Sequence, residues 1–313
     1  MEATTLSIGN ISLPKLGIGT WSWGDSLFWG YGSDYGETEV QKAFETAIAG
    51  GAAFFDTAEV YGLGTSEKLI GKFLQQTSQP VQIATKYFPL PWRFGTQAVA
   101  DALTNSLKRL QVEQIALYQV HMPFDFFMGQ STLMEALATE VKKGRILSVG
   151  VSNYSATQME EAYNLLAQHG VSLAVNQVHY SLLTRTIEQN GILDTARKLG
   201  VTILAYSPLD QGLLTGKYTP ETADIQGVRK LNPKFSTSGL RKIEPLINEL
   251  KQLGEKYQKT PVQVALNWLI AQGNVIPIPG AKNARQAEEN AGALGWELSL
   301  EDVERLKAIS FKL

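Results

Sequence analysis

Along the chain, short apolar segments rich in Val, Ile and Phe alternate with longer stretches whose apolar positions recur every three or four residues. The first pattern predicts buried strands and the second amphipathic helices. Strands are expected near Leu16 to Thr20, Ala53 to Asp56, Val81 to Lys86, Ala116 to His121, Ile146 to Ser152, Ala174 to Val178, Thr202 to Ser207 and Val275 to Pro279. Helices are expected at Thr38 to Gly50, Thr96 to Leu110, Leu133 to Lys143, Ala156 to His169 and Leu300 to Ile309. Strands that are apolar throughout are covered on both faces, which implies parallel pairing with helices outside. Eight such units point to a single closed (β/α)8 TIM barrel over residues 1–313. The rival is a doubly wound open sheet, which calls for a G-x-G-x-x-G phosphate loop after an early strand. GIGTWSWG instead puts Gly17, Gly19 and Gly24 at the wrong spacing and among aromatics. No Pro/Gly/Ser-rich linker or low-complexity run divides the chain. The longest irregular connection, about Gly212 to Ser238, follows the seventh strand, and loops of that length are usually functional or mobile.

Composition narrows the function. The 313 residues are 44% hydrophobic, enough for a large core. There is no uninterrupted apolar run of about 18 residues and no basic start followed by an apolar segment, so a cytoplasmic protein without membrane contact is expected. With 28 Lys+Arg against 30 Asp+Glu and no basic run, nucleic acid is not an expected partner. The absence of cysteine removes disulfides, thiolate metal sites and a cysteine nucleophile. His121, His169 and His179 have no spacing suited to a shared metal, which disfavours metal catalysis.

In a barrel, residues at the carboxyl ends of the strands face the open mouth. Asp56 ends the second strand, Lys86 the third and His121 the fourth, and Tyr61 in FFDTAEVYG lies just beyond the second. Later strand ends add Ser152, Asn153, Gln177, Tyr206 and Ser207. Singly, each has a structural explanation: Asp56 as the cap of a helix after Thr65, Lys86 as a solvated strand end, His121 as a satisfied core histidine. Neither capping nor packing calls for three ionisable groups at three successive strand ends with a phenol beside them.

The segments KLGIGTW, FFDTAEVYG, ATK, LYQVH, VGVSN, NQVHY, AYSPL and IPIPGAK followed by EEN resemble the aldo-keto reductases over nearly the whole chain. The similarity is to a branch from photosynthetic organisms and, more distantly, to potassium-channel β subunits. The resemblance implies a catalytic tetrad of Asp56, Tyr61, Lys86 and His121. Hydride attack on a carbonyl builds negative charge on oxygen, which needs a nearby proton donor, here Tyr61. A buried ammonium, Lys86, is expected to lower the phenol, and Asp56 to keep that ammonium charged. His121 is expected to donate to the carbonyl oxygen, orienting the substrate and assisting proton delivery at lower pH.

None of these groups carries two electrons, so a nicotinamide is required. By resemblance, Ser152, Asn153 and Gln177 would hold its carboxamide while Tyr206 stacks on the ring. Ser207, Leu209, Gln211, Leu214 and Lys217 would line the pyrophosphate, with Gln286, Glu289 and Asn290 near the adenine and ribose. Gly19, Thr20, Trp21, Pro208, Gly212, Arg229, Pro279, Gly280 and Ala281 complete the expected groove. Lys282 and Arg285 stand where a helix begins, an unfavourable place for cations unless an anion is present. A 2′-phosphate, contacted by Lys282, would be that anion, so NADPH is expected over NADH. Many relatives carry arginine where this chain has Gln286. Trp21, Trp23, Phe88 and Trp92 are expected to line the substrate pocket, while Trp29 and Tyr31 cover the barrel top. The chain ends shortly after its last helix, which suggests a broad substrate range, with reactive aldehydes such as methylglyoxal and a role in aldehyde detoxification. A monomer or weak homo-oligomer is expected. The alternatives are a cofactor-sensing regulatory subunit that binds a partner protein, and a dehydrogenase directed to pyridoxal, a sugar or another alcohol.

Overall fold

The computed structural model describes residues 5–311 except 125, 127, 222–224, 226–228 and 231. A hairpin comes first, β1 (Thr5–Ile8) paired antiparallel with β2 (Ile11–Pro14). Eight parallel strands follow in chain order: β3 (Ile18–Gly19), β4 (Phe54–Asp56), β5 (Gln82–Tyr87), β6 (Ile115–Val120), β7 (Ile146–Ser152), β8 (Leu173–His179), β9 (Thr202–Tyr206) and β10 (Val275–Pro277). Each pairs with the next, as the apolar runs predict. The seam between first and last is closed where Gly17 N donates to the Pro277 carbonyl and Gly19 N to the Pro279 carbonyl, both at 3.0 Å. That seam explains the GIG motif. A Cβ on Gly17 would lie 2.4 Å from the Phe54 ring, and one on Gly19 would lie 2.9 Å from the Ile278 carbonyl oxygen. The two glycines permit close backbone approach and form no phosphate loop.

Alternation along the strands sends every second residue inward. Phe54, Ala84, Leu117, Val175, Leu204 and Ile276 meet inside the barrel. Ile8, Ile11 and Leu13 of the hairpin join this inner cluster and stopper the amino-terminal end. The helices Glu37–Ala49, Gly95–Leu110, Gln130–Lys142 and Ala156–Gln168 lie between successive strands as expected, with boundaries within three residues of the reading for all four. They bury one apolar face each against the outer side of the barrel. The long connection after β9 begins with a turn of 3-10 helix at Asp210–Thr215 and has another at Pro233–Phe235, and part of it falls outside the described residues. Among the described residues, no helix is long and apolar enough to cross a membrane.

Candidate active site

The alternation that buries Phe54, Ala84 and Leu117 carries Asp56, Lys86, Gln119 and His121 to the mouth two residues at a time. Lys86 is fully buried. Its Nζ donates to Asp56 Oδ2 at 2.5 Å, to the Thr57 carbonyl at 2.8 Å and to the Tyr61 hydroxyl at 3.3 Å. The other carboxylate oxygen of Asp56 accepts the side-chain amides of Gln177 at 2.8 Å and Gln119 at 3.0 Å, and Gln177 also donates to Gln119 Oε1 at 3.2 Å. Asp56 therefore caps no helix. The helix Thr65–Leu74 begins from Gly64 without a side-chain cap.

The protonation balance corrects one expectation. Burial pulls the Lys86 ammonium down, but Asp56 and Tyr61 offset it and hold the group above its ordinary value. For Tyr61, burial is the largest influence and pushes the phenol up; Lys86 pulls down without prevailing, and Asp56 pushes up again. The lysine was expected to lower the phenol. Lys86 does lower it, as expected, but burial outweighs the lysine, so Tyr61 is raised and stays protonated. His121 lies edge-on to the Tyr61 ring, centroids 5.7 Å apart, and among the described residues its buried Nδ1 has no hydrogen-bond partner. Burial, then Lys86, pushes the imidazole down to about 3. A neutral imidazole can donate an N–H, but it has no extra proton to deliver in mild acid, which corrects that part of the expected role.

Next to this cluster Asn153 Nδ2 donates to the His121 carbonyl at 3.2 Å and to Ser152 Oγ at 3.0 Å, and Asn153 Oδ1 accepts from the Tyr206 hydroxyl at 3.1 Å. Ser152 Oγ donates to the Gln177 carbonyl at 3.0 Å. The residues expected around a carboxamide are thus tied to one another, and the His179 ring stacks on Tyr206 with centroids 5.3 Å apart. Asn153, Ser207, Asp210 and Gln211 have left-handed φ of 63°, 49°, 47° and 56°. Non-glycine residues held this way cost roughly 1–3 kcal/mol each and persist where the surroundings over-determine them, often at functional sites.

A second group of side chains stands beside the barrel seam. Lys217 is exposed, while Arg229 and Lys282 are half-buried, and among the described residues none of the three forms an ion pair. Arg229 Nε donates to the Gln211 carbonyl at 3.0 Å. The helix Ala284–Ala291 is capped by Asn283, whose Oδ1 accepts from Gln286 N at 3.1 Å. Gln286 Oε1 accepts from Lys282 N at 2.8 Å, and Asn290 Nδ2 donates to the Gly280 carbonyl at 3.2 Å. Arg285 is exposed and Glu289 half-buried. Thr20 Oγ1 donates to the Asp56 carbonyl at 3.0 Å, linking this side to the Lys86 cluster.

Three expected residues do not face the mouth. Trp23 is fully buried in the outer core against Phe55 and Phe73, its indole donating to the Ala281 carbonyl at 2.8 Å. The turn in which Trp23 N bonds the Thr20 carbonyl sends it down behind the seam and leaves Trp21 outside. Leu214 and Ala281 likewise have side chains wholly within that core. Trp21 reaches Tyr61 at 6.3 Å between centroids and Phe88 reaches His121 at 5.4 Å, whereas Trp92 stands 69% exposed on the rim. Two contributions escaped the sequence reading. Gln119 shares strand parity with His121, and that signal was present in LYQVH. Phe124 and Phe126 extend a line of rings outward from Phe88, with successive centroids 6.4 Å and 5.2 Å apart.

Residues 15–310 match the sequence profile of the Aldo/keto reductase family. The chain is 38% identical over 306 residues to a chloroplastic pyridoxal reductase of Arabidopsis thaliana, covering 94% of this chain and 82% of that protein. Among solved structures, the glycerol dehydrogenase of Gluconobacter oxydans superposes with a TM-score of 0.87 at 30% identity, over 99% of this chain and 95% of that one. An enzyme of Klebsiella pneumoniae described in complex with NADPH gives 0.76 at 26% identity, over 99% of this chain and 96% of that one.

Proposed function

The chain belongs to the aldo/keto reductase family, and on that premise we propose that it reduces aldehydes and ketones to alcohols with NADPH as its cofactor. The cofactor comes to this chain from the NADPH complex of the Klebsiella relative and from the fit of its own residues. Lys217, Arg229 and Lys282 crowd one side of the mouth without ion pairs among the described residues, and a ligand rich in phosphate suits them. When bound, NADPH would supply the hydride.

The observation that carries the reading is the hydrogen bond from Lys86 to the Tyr61 hydroxyl at 3.3 Å, with Lys86 anchored on Asp56 at 2.5 Å. Tyr61, kept protonated by burial, donates its proton to the substrate oxygen as charge grows there. Lys86 then stabilises the phenolate left behind, Asp56 keeps Lys86 charged, and Gln119 and Gln177 hold Asp56 in place. Neutral His121 donates an N–H toward the substrate oxygen and sets its approach. Trp21 and Phe88 flank the site.

The expected substrates are carbonyls with a compact or apolar body, reactive aldehydes such as methylglyoxal among them. A second candidate class is planar aromatic aldehydes such as pyridoxal. The ring ladder Phe88, Phe124, Phe126 favours it, as does the similarity to a pyridoxal reductase. The test follows NADPH absorbance against methylglyoxal, pyridoxal, aromatic aldehydes, ketones and sugars, for the wild-type chain and Tyr61→Phe. Turnover should fall by roughly 10²–10⁴-fold in the variant with NADPH affinity preserved. A variant that turns over at the wild-type rate would remove Tyr61 as the donor, and activity confined to one sugar would remove the broad substrate class.

A further inference from the structure

The sequence leaves Trp29 as part of the roof over the barrel, but the structure gives its carbonyl, its ring and its indole N–H separate surroundings. Its carbonyl accepts from Lys282 Nζ at 2.8 Å. Its ring is faced by two cations, Lys282 at 5.1 Å and Arg229 at 5.6 Å from the centroid. Its indole Nε1 is buried and, among the described residues, donates to nothing, although a desolvated indole N–H ordinarily finds an acceptor. The ring is held where it is by local structure. Asp25 caps the short helix Ser26–Trp29, accepting from Phe28 N at 2.7 Å, and Gly30 turns the chain back at φ 71°.

Two cations that share one ring repel each other, and the surroundings do little to offset it. Burial, then Arg229, pulls the Lys282 ammonium down, Asp34 pushes it up, and Lys217 pulls it down again. Lys282 also lies 4.5 Å from the centre of the Tyr35 ring, and the Tyr35 hydroxyl is already committed to the Ser22 carbonyl. The guanidinium and the ammonium that face the Trp29 ring, and the unfilled N–H of that ring, are all donors. A phosphate, with acceptor oxygens pointing in several directions, satisfies such a set together.

We propose that Trp29 is a cofactor-binding residue that sets the preference for a phosphorylated ribose. Its indole N–H, with Lys282 and Arg229, seats the 2′-phosphate of NADPH, and its carbonyl holds Lys282 at that seat beforehand. This rests on NADPH being the cofactor. It also ties the seat to the reacting end, because the Trp21 ring lies 5.4 Å from Trp29 on one side and 6.3 Å from Tyr61 on the other.

The test is calorimetric titration of the full chain with 2′,5′-ADP, NADPH and NADH, for wild type, Trp29→Phe, Lys282→Met and Arg229→Met. Trp29→Phe keeps a ring and the carbonyl and removes only the N–H. It should weaken 2′,5′-ADP and NADPH by roughly 10- to 100-fold, the worth of a hydrogen bond to a charged group, and leave NADH unchanged. Equal losses for NADPH and NADH, or no loss for either, would overturn the role of Trp29. The two cation variants separate the failures. If they lose NADPH affinity while Trp29→Phe does not, only the indole contact is wrong. If they too bind NADPH as wild type does, the placing of the phosphate at this seat is wrong. Matching thermal melts for Trp29→Phe and wild type would show that any loss is not a folding defect.

Discussion

Replacing Asp56 with Asn removes one charge and almost no volume from the centre of the site. In the native chain the carboxylate takes the Lys86 ammonium on one oxygen and two glutamine amides on the other. An asparagine can keep its carbonyl toward Gln119 and Gln177, but it then presents N–H groups to the ammonium, which has no use for donors. Lys86 remains fully buried with, among the described residues, the Thr57 carbonyl at 2.8 Å and the Tyr61 hydroxyl at 3.3 Å as its remaining partners. Removing one member of a buried pair costs about 3–5 kcal/mol. An unfolding entropy of roughly 2.1 cal/mol/K per residue, over 313 residues, converts that loss to a melting temperature lower by roughly 5–8 °C. The pH dependence moves as well. In the native chain the ammonium is raised above 10.5, so the stability it contributes is complete below that pH and is lost as pH rises through the folded value. Without Asp56 the burial that lowers Lys86 is unopposed except by Tyr61, and the alkaline limb of turnover should move to lower pH. Scanning calorimetry near neutral pH together with a turnover profile across the alkaline range reads both effects. A variant with the native melting temperature and an unmoved alkaline limb would refute the anchoring of Lys86 by Asp56.

Acid should destabilise the native chain through His121, because its imidazole falls from 6.5 to about 3 on folding. The stability tied to its neutrality is complete above 6.5 and is lost as pH falls toward 3. His121→Gln should therefore lose less melting temperature between neutral and acid pH than wild type, and parallel losses would contradict the burial of a neutral ring. Gln119→Leu removes one of the two amides that hold Asp56 and should cost about 1–3 kcal/mol of stability. As a positioning residue it should lower kcat and shift the alkaline limb without changing NADPH affinity, and a change confined to stability would assign it a purely structural part.

The barrel was legible because its strands are apolar on both faces, a pattern that few other folds require of so many segments. The tetrad was legible for a related reason. An ionisable residue where an apolar run stops has few places to point except the mouth. What escaped was hidden by the same rules. Gln119 sits one residue from an apolar neighbour on either side and reads as an interruption in β6, until Leu117, Gln119 and His121 are seen to share a face. Trp21 and Trp23 share parity too, but strand parity ends where the chain turns at Thr20, so one reaches Tyr61 and the other the outer core. The raised phenol of Tyr61 depends on burial outweighing the nearby Lys86 charge, a balance that residue spacing does not carry.

The hairpin that fills the lower end of the barrel makes the interior a blind well. Tyr61 and His121 stand beside Asp56, Lys86 and the two glutamines on the mouth side. An occupant at the rim therefore works as a cork. While it sits there, the polar floor beneath is sealed from bulk solvent, and its hydrogens should exchange only as often as the occupant leaves.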